Sequence, residues 1–320
     1  MKLDITVHKG NPEKAVVIFI HGLAMDKHFW LDPLETKAFA KNIPLKYFAA
    51  RKPRLSHSIN KISIGDVPVK INGIWDAVIG EGFSAVCWSQ TRPVGPISVA
   101  VKELHDVVLK VRKKFPSKPI AFVCHSRGGL VARKFMELRP KGIKALITIA
   151  SPHRGSSLSK IGNYIDPLTK PLKAIVPKDS HGNLSRIVKS LRELVDGKAL
   201  KELMPDSAFI HNLQDTPSKD IYYLSFGGRK TALLNIYKWE KVEDIMQAKS
   251  ILTIPDSLTK LIPYAARPPE LIPGKGDFMV TADSSVLPWS TEHYNLQANH
   301  FTISWNRKVR EKTLEVLRQI

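Results

Sequence analysis

A serine flanked by small residues sits at Cys124-His125-Ser126-Arg127-Gly128, between an apolar run and a glycine-rich stretch. The run Pro119–Cys124 predicts a buried strand, and Gly128-Gly129-Leu130-Val131-Ala132-Arg133 reads as the start of a helix. A serine at such a strand-to-helix junction is set for nucleophilic attack. The turn is sharp, so strand and helix must come close, and Gly128 gives them room. The first small position of the G-x-S-x-G pattern holds Cys124, which is small enough for the turn to close with less space. The helix behind Ser126 aims its N-terminus and free N–H groups at the reaction centre, where negative charge would develop. Cys124 could itself be offered as a nucleophile, but it faces back along the strand, two residues before the tip.

Acyl transfer passes through a tetrahedral oxyanion that needs two preorganised donors. One is expected from the backbone N–H of Arg127. The other is expected from His21-Gly22-Leu23, directly after the apolar run Ala15–Ile20, with the N–H of Leu23 as the donor and Gly22 allowing close approach. His21 is expected to hold this loop by side-chain hydrogen bonds rather than to act as the base.

These pieces need a frame. Ala15–Ile20 and Ala145–Ala150 are continuous, β-branched apolar runs, the pattern of strands buried on both faces. Phe83–Trp88 and Ile221–Phe226 are further strand candidates. Helices are predicted between them: Val101, Leu104, Val108 and Val111 form one stripe, and Val131, Phe135 and Leu138 another. A last helix from about Trp305 turns Val309, Val316 and Ile320 inward. Strands alternating with helices predict a mostly parallel, doubly wound α/β sheet in one domain. Two stretches interrupt the alternation. Residues 156–216 contain an amphipathic helix with Leu184, Ile187, Leu191 and Leu194 on one side and Arg186, Lys189 and Arg192 on the other. Residues 230–274 form a second insertion. Excursions of this length are expected as a cap or as binding loops.

The segments His21-Gly22-Leu23, His125-Ser126-Arg127-Gly128-Gly129-Leu130-Val131-Ala132-Arg133 and Ser151-Pro152-His153-Arg154-Gly155-Ser156 resemble lipases of the α/β-hydrolase superfamily. The likeness is to bacterial triacylglycerol-lipase-like and GPI-inositol-deacylase-like members, and Leu203–Phe209 resembles a segment they carry after the cap. It covers most of the chain, the two insertions excepted. The resemblance implies the α/β-hydrolase fold and ester hydrolysis by a Ser–His–Asp triad without a cofactor. Gly274–Val280 resembles the family's Gly-Asp-Gly-x-Val loop, which makes Asp277 the acid, with Phe278 where the second glycine would stand. Asn299-His300-Phe301 resembles the family's Asn-His-Phe loop, which makes His300 the base. Asp283 and His293 are the rivals. The same triad would also serve acyl transfer to another alcohol or thioester hydrolysis. A noncatalytic module on an anionic membrane surface is the reading from another class, and the complete set of three residues argues against it.

Composition bounds the partners. The chain has 320 residues, 43% apolar and 24% charged, which are globular values. Its formal charge of +20 favours anionic surfaces or substrates. Lys41–Lys61 has six basic residues and no acid, but few aromatics and no nucleic-acid motif, so nucleic acid is not an expected partner. A small-molecule or lipid ester is expected, with an anionic membrane surface as a possible second partner. Met1–Val7 lacks an apolar core and a cleavage site and does not read as a signal peptide. No apolar run reaches membrane-spanning length. Cys87 and Cys124 lie in strand-like runs and are read as reduced buried thiols, which points to the cytoplasm; a trimmed secreted form is the alternative.

Overall fold

The computed structural model describes residues 3–38, 43–46, 53, 61–64, 71–157, 198–260 and 262–320. The apolar runs form the strands of one sheet: β1 (Asp4–His8), β2 (Val16–Ile20), β3 (Ser84–Ser89), β4 (Ile120–His125), β5 (Ile143–Ile149), β6 (Tyr222–Gly228) and β7 (Glu292–Leu296). Their order across the sheet is β1-β3-β2-β4-β5-β6-β7. Only β1 runs antiparallel to its neighbour; every other pairing is parallel. Every residue of β2 and β4 is buried, as expected of parallel strands covered on both faces.

Four longer helices pack on this sheet: α1 (Ile74–Gly80), α2 (Ile97–Lys114), α3 (Arg127–Met136) and α4 (Arg307–Leu317). α2 packs against α3, and α1 against α4. Strand β3 lies on one side of β2 and β4 on the other, so the chain reverses its direction of travel across the sheet at β2. Right-handed crossovers then put α1 on one face and α2 with α3 on the other. The switch point of the sheet, beside which α/β folds place their sites, lies between β2 and β4.

Three helix positions differ from expectation. Leu138 is 63% exposed, because α3 ends at Met136 and Arg139 turns the chain with a φ of 48°. Val101 is half-buried at the margin of its stripe, while Ile97, Ala100 and Val107 join Leu104, Val108 and Val111 inside. Ile320 lies past the end of α4 and is half-buried; Thr313 and Leu317 face inward beside Val309 and Val316.

Cys87 and Cys124 are free and buried, and burial raises both thiols, Cys87 to about 12. Among the described residues no helix is long and apolar enough to cross a membrane. The amphipathic helix expected around Leu184–Leu194, and most of Lys41–Lys61, lie outside the described residues. Within the second insertion, Leu234–Val242 and Ile245–Ile254 form an antiparallel hairpin, and Ile62–Ile64 pairs with its first strand.

Candidate active site

Four loops at the carboxyl ends of the parallel strands supply the site: those after β2, β4, β6 and β7. Ser126 stands at the tip of the turn from β4 into α3, with φ 52° and ψ −127°. That is a backbone conformation almost reserved for glycine, held here by the surrounding structure. The Ser126 N–H donates to Ile149 O at 2.8 Å, which fixes the turn to β5. The small-residue requirement falls on Gly128: a Cβ there would lie 2.5 Å from Ile20 O and 2.9 Å from His21 O. Cys124 stays inside the ladder, paired with Ile20 and Thr148, away from the tip.

His300 and Asp277 meet in the interior, both almost fully buried. His300 Nδ1 lies 3.0 Å from Asp277 Oδ2. A carboxylate can only accept, so Nδ1 carries the proton of this bond. Asp277 is itself fixed: Oδ1 accepts from Met279 N at 2.9 Å and Val280 N at 2.7 Å, and its carbonyl accepts from His300 N at 3.0 Å. Phe278, in the place of the motif's second glycine, has a φ of 89°. The His300 turn is tied by Asn299, whose Oδ1 accepts from Phe301 N and Thr302 N.

The rivals lie elsewhere. Asp283 is exposed. His293 is half-buried on β7, with Nδ1 2.8 Å from Ser225 Oγ. Among the described residues no hydrogen bond joins Ser126 Oγ to His300 Nε2. Such contacts are often long in unliganded sites and tighten around substrate.

The loop after β2 comes close to the turn: a Cβ on Gly22 would lie 3.0 Å from Ser126 Cβ and 3.0 Å from His125 Nδ1. Among the described residues neither Leu23 N–H nor Arg127 N–H has an acceptor, so both are free to donate. His21 is buried and braces the loop: Nε2 accepts from Gln90 N at 3.0 Å, and Nδ1–H donates to Gly22 O at 2.9 Å. Burial holds His21 near 4, so it is neutral at pH 7.

Two contributors escaped sequence reasoning. His125 sits between the Ser126 turn and His300, and Gln90 links β3 to the His21 loop. His125 lies inside the Cys124–Gly128 segment, so it was visible as a residue but not as a contact. Gln90 has no sequence signal.

A family described as a domain of unknown function (DUF7379) matches residues 102–234. No curated protein matches the chain. Among solved structures, the mature form of lipase BlEst2 from Bacillus licheniformis aligns with a TM-score of 0.56 at 14% identity, covering 98% of this chain and 97% of that one. The propeptide form of the same lipase aligns with a TM-score of 0.55 at 14% identity; 98% of this chain is covered but 53% of that one. The metagenomic carboxyl esterase MGS0156 aligns with a TM-score of 0.50 at 11% identity over 97% of this chain and 77% of that one. At such identities the likeness is one of fold, and the chain has the α/β-hydrolase fold.

Proposed function

We propose that the chain is a serine hydrolase of carboxylic esters, with lipid or acyl esters as its substrate class. Ser126 is the nucleophile, His300 the general base and acid, and Asp277 the carboxylate that orients His300. The N–H groups of Leu23 and Arg127 form the oxyanion hole. The observation that carries this reading is the buried His300–Asp277 pair, 3.0 Å apart, on loops beside the turn that strains Ser126. Neighbours of the same fold named as a lipase and a carboxyl esterase support the reaction class.

In this scheme Ser126 Oγ attacks the ester carbonyl carbon and its proton passes to His300 Nε2. The carbonyl oxygen takes the negative charge and rests on the two backbone donors. Collapse breaks the bond to the alcohol oxygen, which leaves with the proton from His300. Water then attacks the acyl-Ser126 ester with the same proton traffic and releases the acid. Asp277 stays ionised and steadies the imidazolium. The net charge of +20 supports an anionic substrate or membrane surface as the electrostatic complement.

A fluorophosphonate probe, with p-nitrophenyl esters of increasing chain length, tests the reading. The wild-type chain is expected to label at Ser126 and to hydrolyse the esters. Ser126→Ala should stay folded, resist labelling and lose about 10⁶-fold in turnover. Full activity in folded Ser126→Ala overturns the assignment. Labelling without hydrolysis would redirect it to acyl transfer.

A further inference from the structure

Arg127 is a fully buried cation whose guanidinium, among the described residues, donates only to neutral groups. Nη1 donates to Gln90 Oε1 at 3.2 Å and Pro93 O at 3.1 Å, and Nη2 donates to Gly95 O at 2.6 Å. Nε has no partner. Glu202 and Glu103 act on the charge without bonding to it, and burial lowers it to about 10, so it is a cation at pH 7. Burying a charge is costly unless it is hydrogen-bonded, so these three bonds are what offset the cost of placing the cation here.

All three acceptors lie on the loop from β3 to α2, and that loop holds the one after β2. Gln90 N–H donates to His21 Nε2 and Gln90 Nε2 to His21 O, at 3.0 and 3.1 Å. The Ala24 N–H donates to Pro93 O at 3.0 Å, the same carbonyl that Arg127 holds. Ala24 has a φ of 56°, a left-handed conformation unusual for alanine. The guanidinium therefore reaches the residues on both sides of Gly22-Leu23, through one side-chain amide and one shared carbonyl.

We propose that the Arg127 side chain is a positioning residue for the oxyanion hole. Its backbone N–H is one donor, and its guanidinium sets the loop that presents the other, Leu23 N–H. One residue thereby keeps the two donors in register. The inference rests on the ester-hydrolase reading for its consequence in catalysis, but not for its consequence in structure.

Two substitutions in the full chain test it. Arg127→Lys keeps the charge but cannot serve three diverging acceptors. Gln90→Leu cuts the link from Arg127 to His21 and leaves the bonds to Pro93 and Gly95. Both should lower kcat roughly 100-fold, the scale of a misplaced reacting group, with KM nearly unchanged. Affinity for a trifluoromethyl ketone, which forms the oxyanion, should fall in step with kcat. Amide exchange at Ala24 should speed up in Arg127→Lys, while thermal unfolding of both variants remains one cooperative transition. Folded variants with wild-type kcat and wild-type exchange at Ala24 overturn the proposal. If Arg127→Lys does not fold, Gln90→Leu decides. If the wild-type chain cleaves no ester, the functional reading fails, and exchange at Ala24 still judges the role of Arg127.

Discussion

His125 Nε2 lies 2.8 Å from the backbone oxygen of His300 across 175 residues of sequence, so the residue before Ser126 holds the loop of the proposed base. Burial pushes His125 well below the usual histidine range, with the nearby His300 adding to the effect. It is therefore neutral, and the proton sits on Nε2, where it is donated to His300 O. Nδ1 is left bare against Gly22. The ring also packs on Phe29, centroids 4.5 Å apart. His125→Phe keeps an aromatic ring and removes the donor. We expect kcat to fall roughly 10- to 100-fold, since the His300 loop is no longer pinned. Unchanged kcat in the folded variant would contradict this.

Asp277→Ala and His300→Ala should each cut turnover by orders of magnitude, while Asp283→Ala and His293→Ala should change it little. On the proposed assignment Ser126→Ala/His300→Ala should be hardly worse than Ser126→Ala, because the members of a triad act as a unit. Steady-state ester hydrolysis on the purified set reads this directly. An inactive His293→Ala beside an active His300→Ala would reverse the base assignment.

Two glycines should separate activity from stability. In Gly22→Ala the new Cβ lies 3.0 Å from Ser126 Cβ and His125 Nδ1, so the expected loss is in kcat. In Gly128→Ala it lies 2.5 Å from the backbone oxygen of Ile20, which cannot move without moving β2. There the expected loss is in stability, about 1–3 kcal/mol as for other overpacked sites. Urea unfolding beside kinetics distinguishes the two patterns.

Acid should destabilise the fold early. Burial lowers His21 to about 4 and also holds His125 and His153 well below the usual histidine range. In the unfolded chain these rings titrate near 6.5. Their folded values are depressed, so the stability they contribute is fully present above 6.5. It is lost as pH falls, because the unfolded state takes up protons that the folded state refuses. The window for His21 is pH 6.5 to about 4. Each such ring contributes a slope of about 1.4 kcal/mol per pH unit within its window. Urea midpoints at pH 7, 6 and 5 should decline, and a level series would contradict the account.

Arg133 and Asp215 form a buried two-pronged ion pair, both bonds 2.8 Å, that ties α3 to the loop before β6. Arg133 also donates to His153 O at 3.1 Å. Asp215→Ala strands a buried guanidinium and should cost about 3–5 kcal/mol. Arg133→Met/Asp215→Leu removes both charges and should recover part of that loss in a denaturant titration.

Much of the sheet was legible because parallel strands covered on both faces must be apolar throughout, as β2, β4 and β5 nearly are. β7 was not. Glu292-His293-Tyr294-Asn295-Leu296 is an edge strand with half-buried side chains, and it owes its form to parallel pairing with β6. Leu138 continued the helical period, but periodicity cannot say where a helix stops. At the site, resemblance drew attention to Asp277 and His300 as types on loops. That they lie within a hydrogen bond of each other, and that Arg127 reaches the His21 loop through Gln90, depends on contacts between distant segments. No local pattern encodes those.

Phe278 has a consequence for how sequences of this kind should be aligned and varied. Its φ of 89° carries a backbone cost of about 1–3 kcal/mol that glycine would escape. The residue is only 9% exposed, and burying its side chain offsets that cost by a similar amount, about 1.5–3 kcal/mol. Glycine and a large apolar residue are thus two separate solutions to one position, and a residue between them in size, such as alanine, keeps the strain without the burial. A collection of homologues is therefore expected to show a bimodal column beside Asp277, with glycine or bulk and little else. Such a column would record the folding economics of one turn, and a reader searching for substrate contacts would misread it as a specificity pocket.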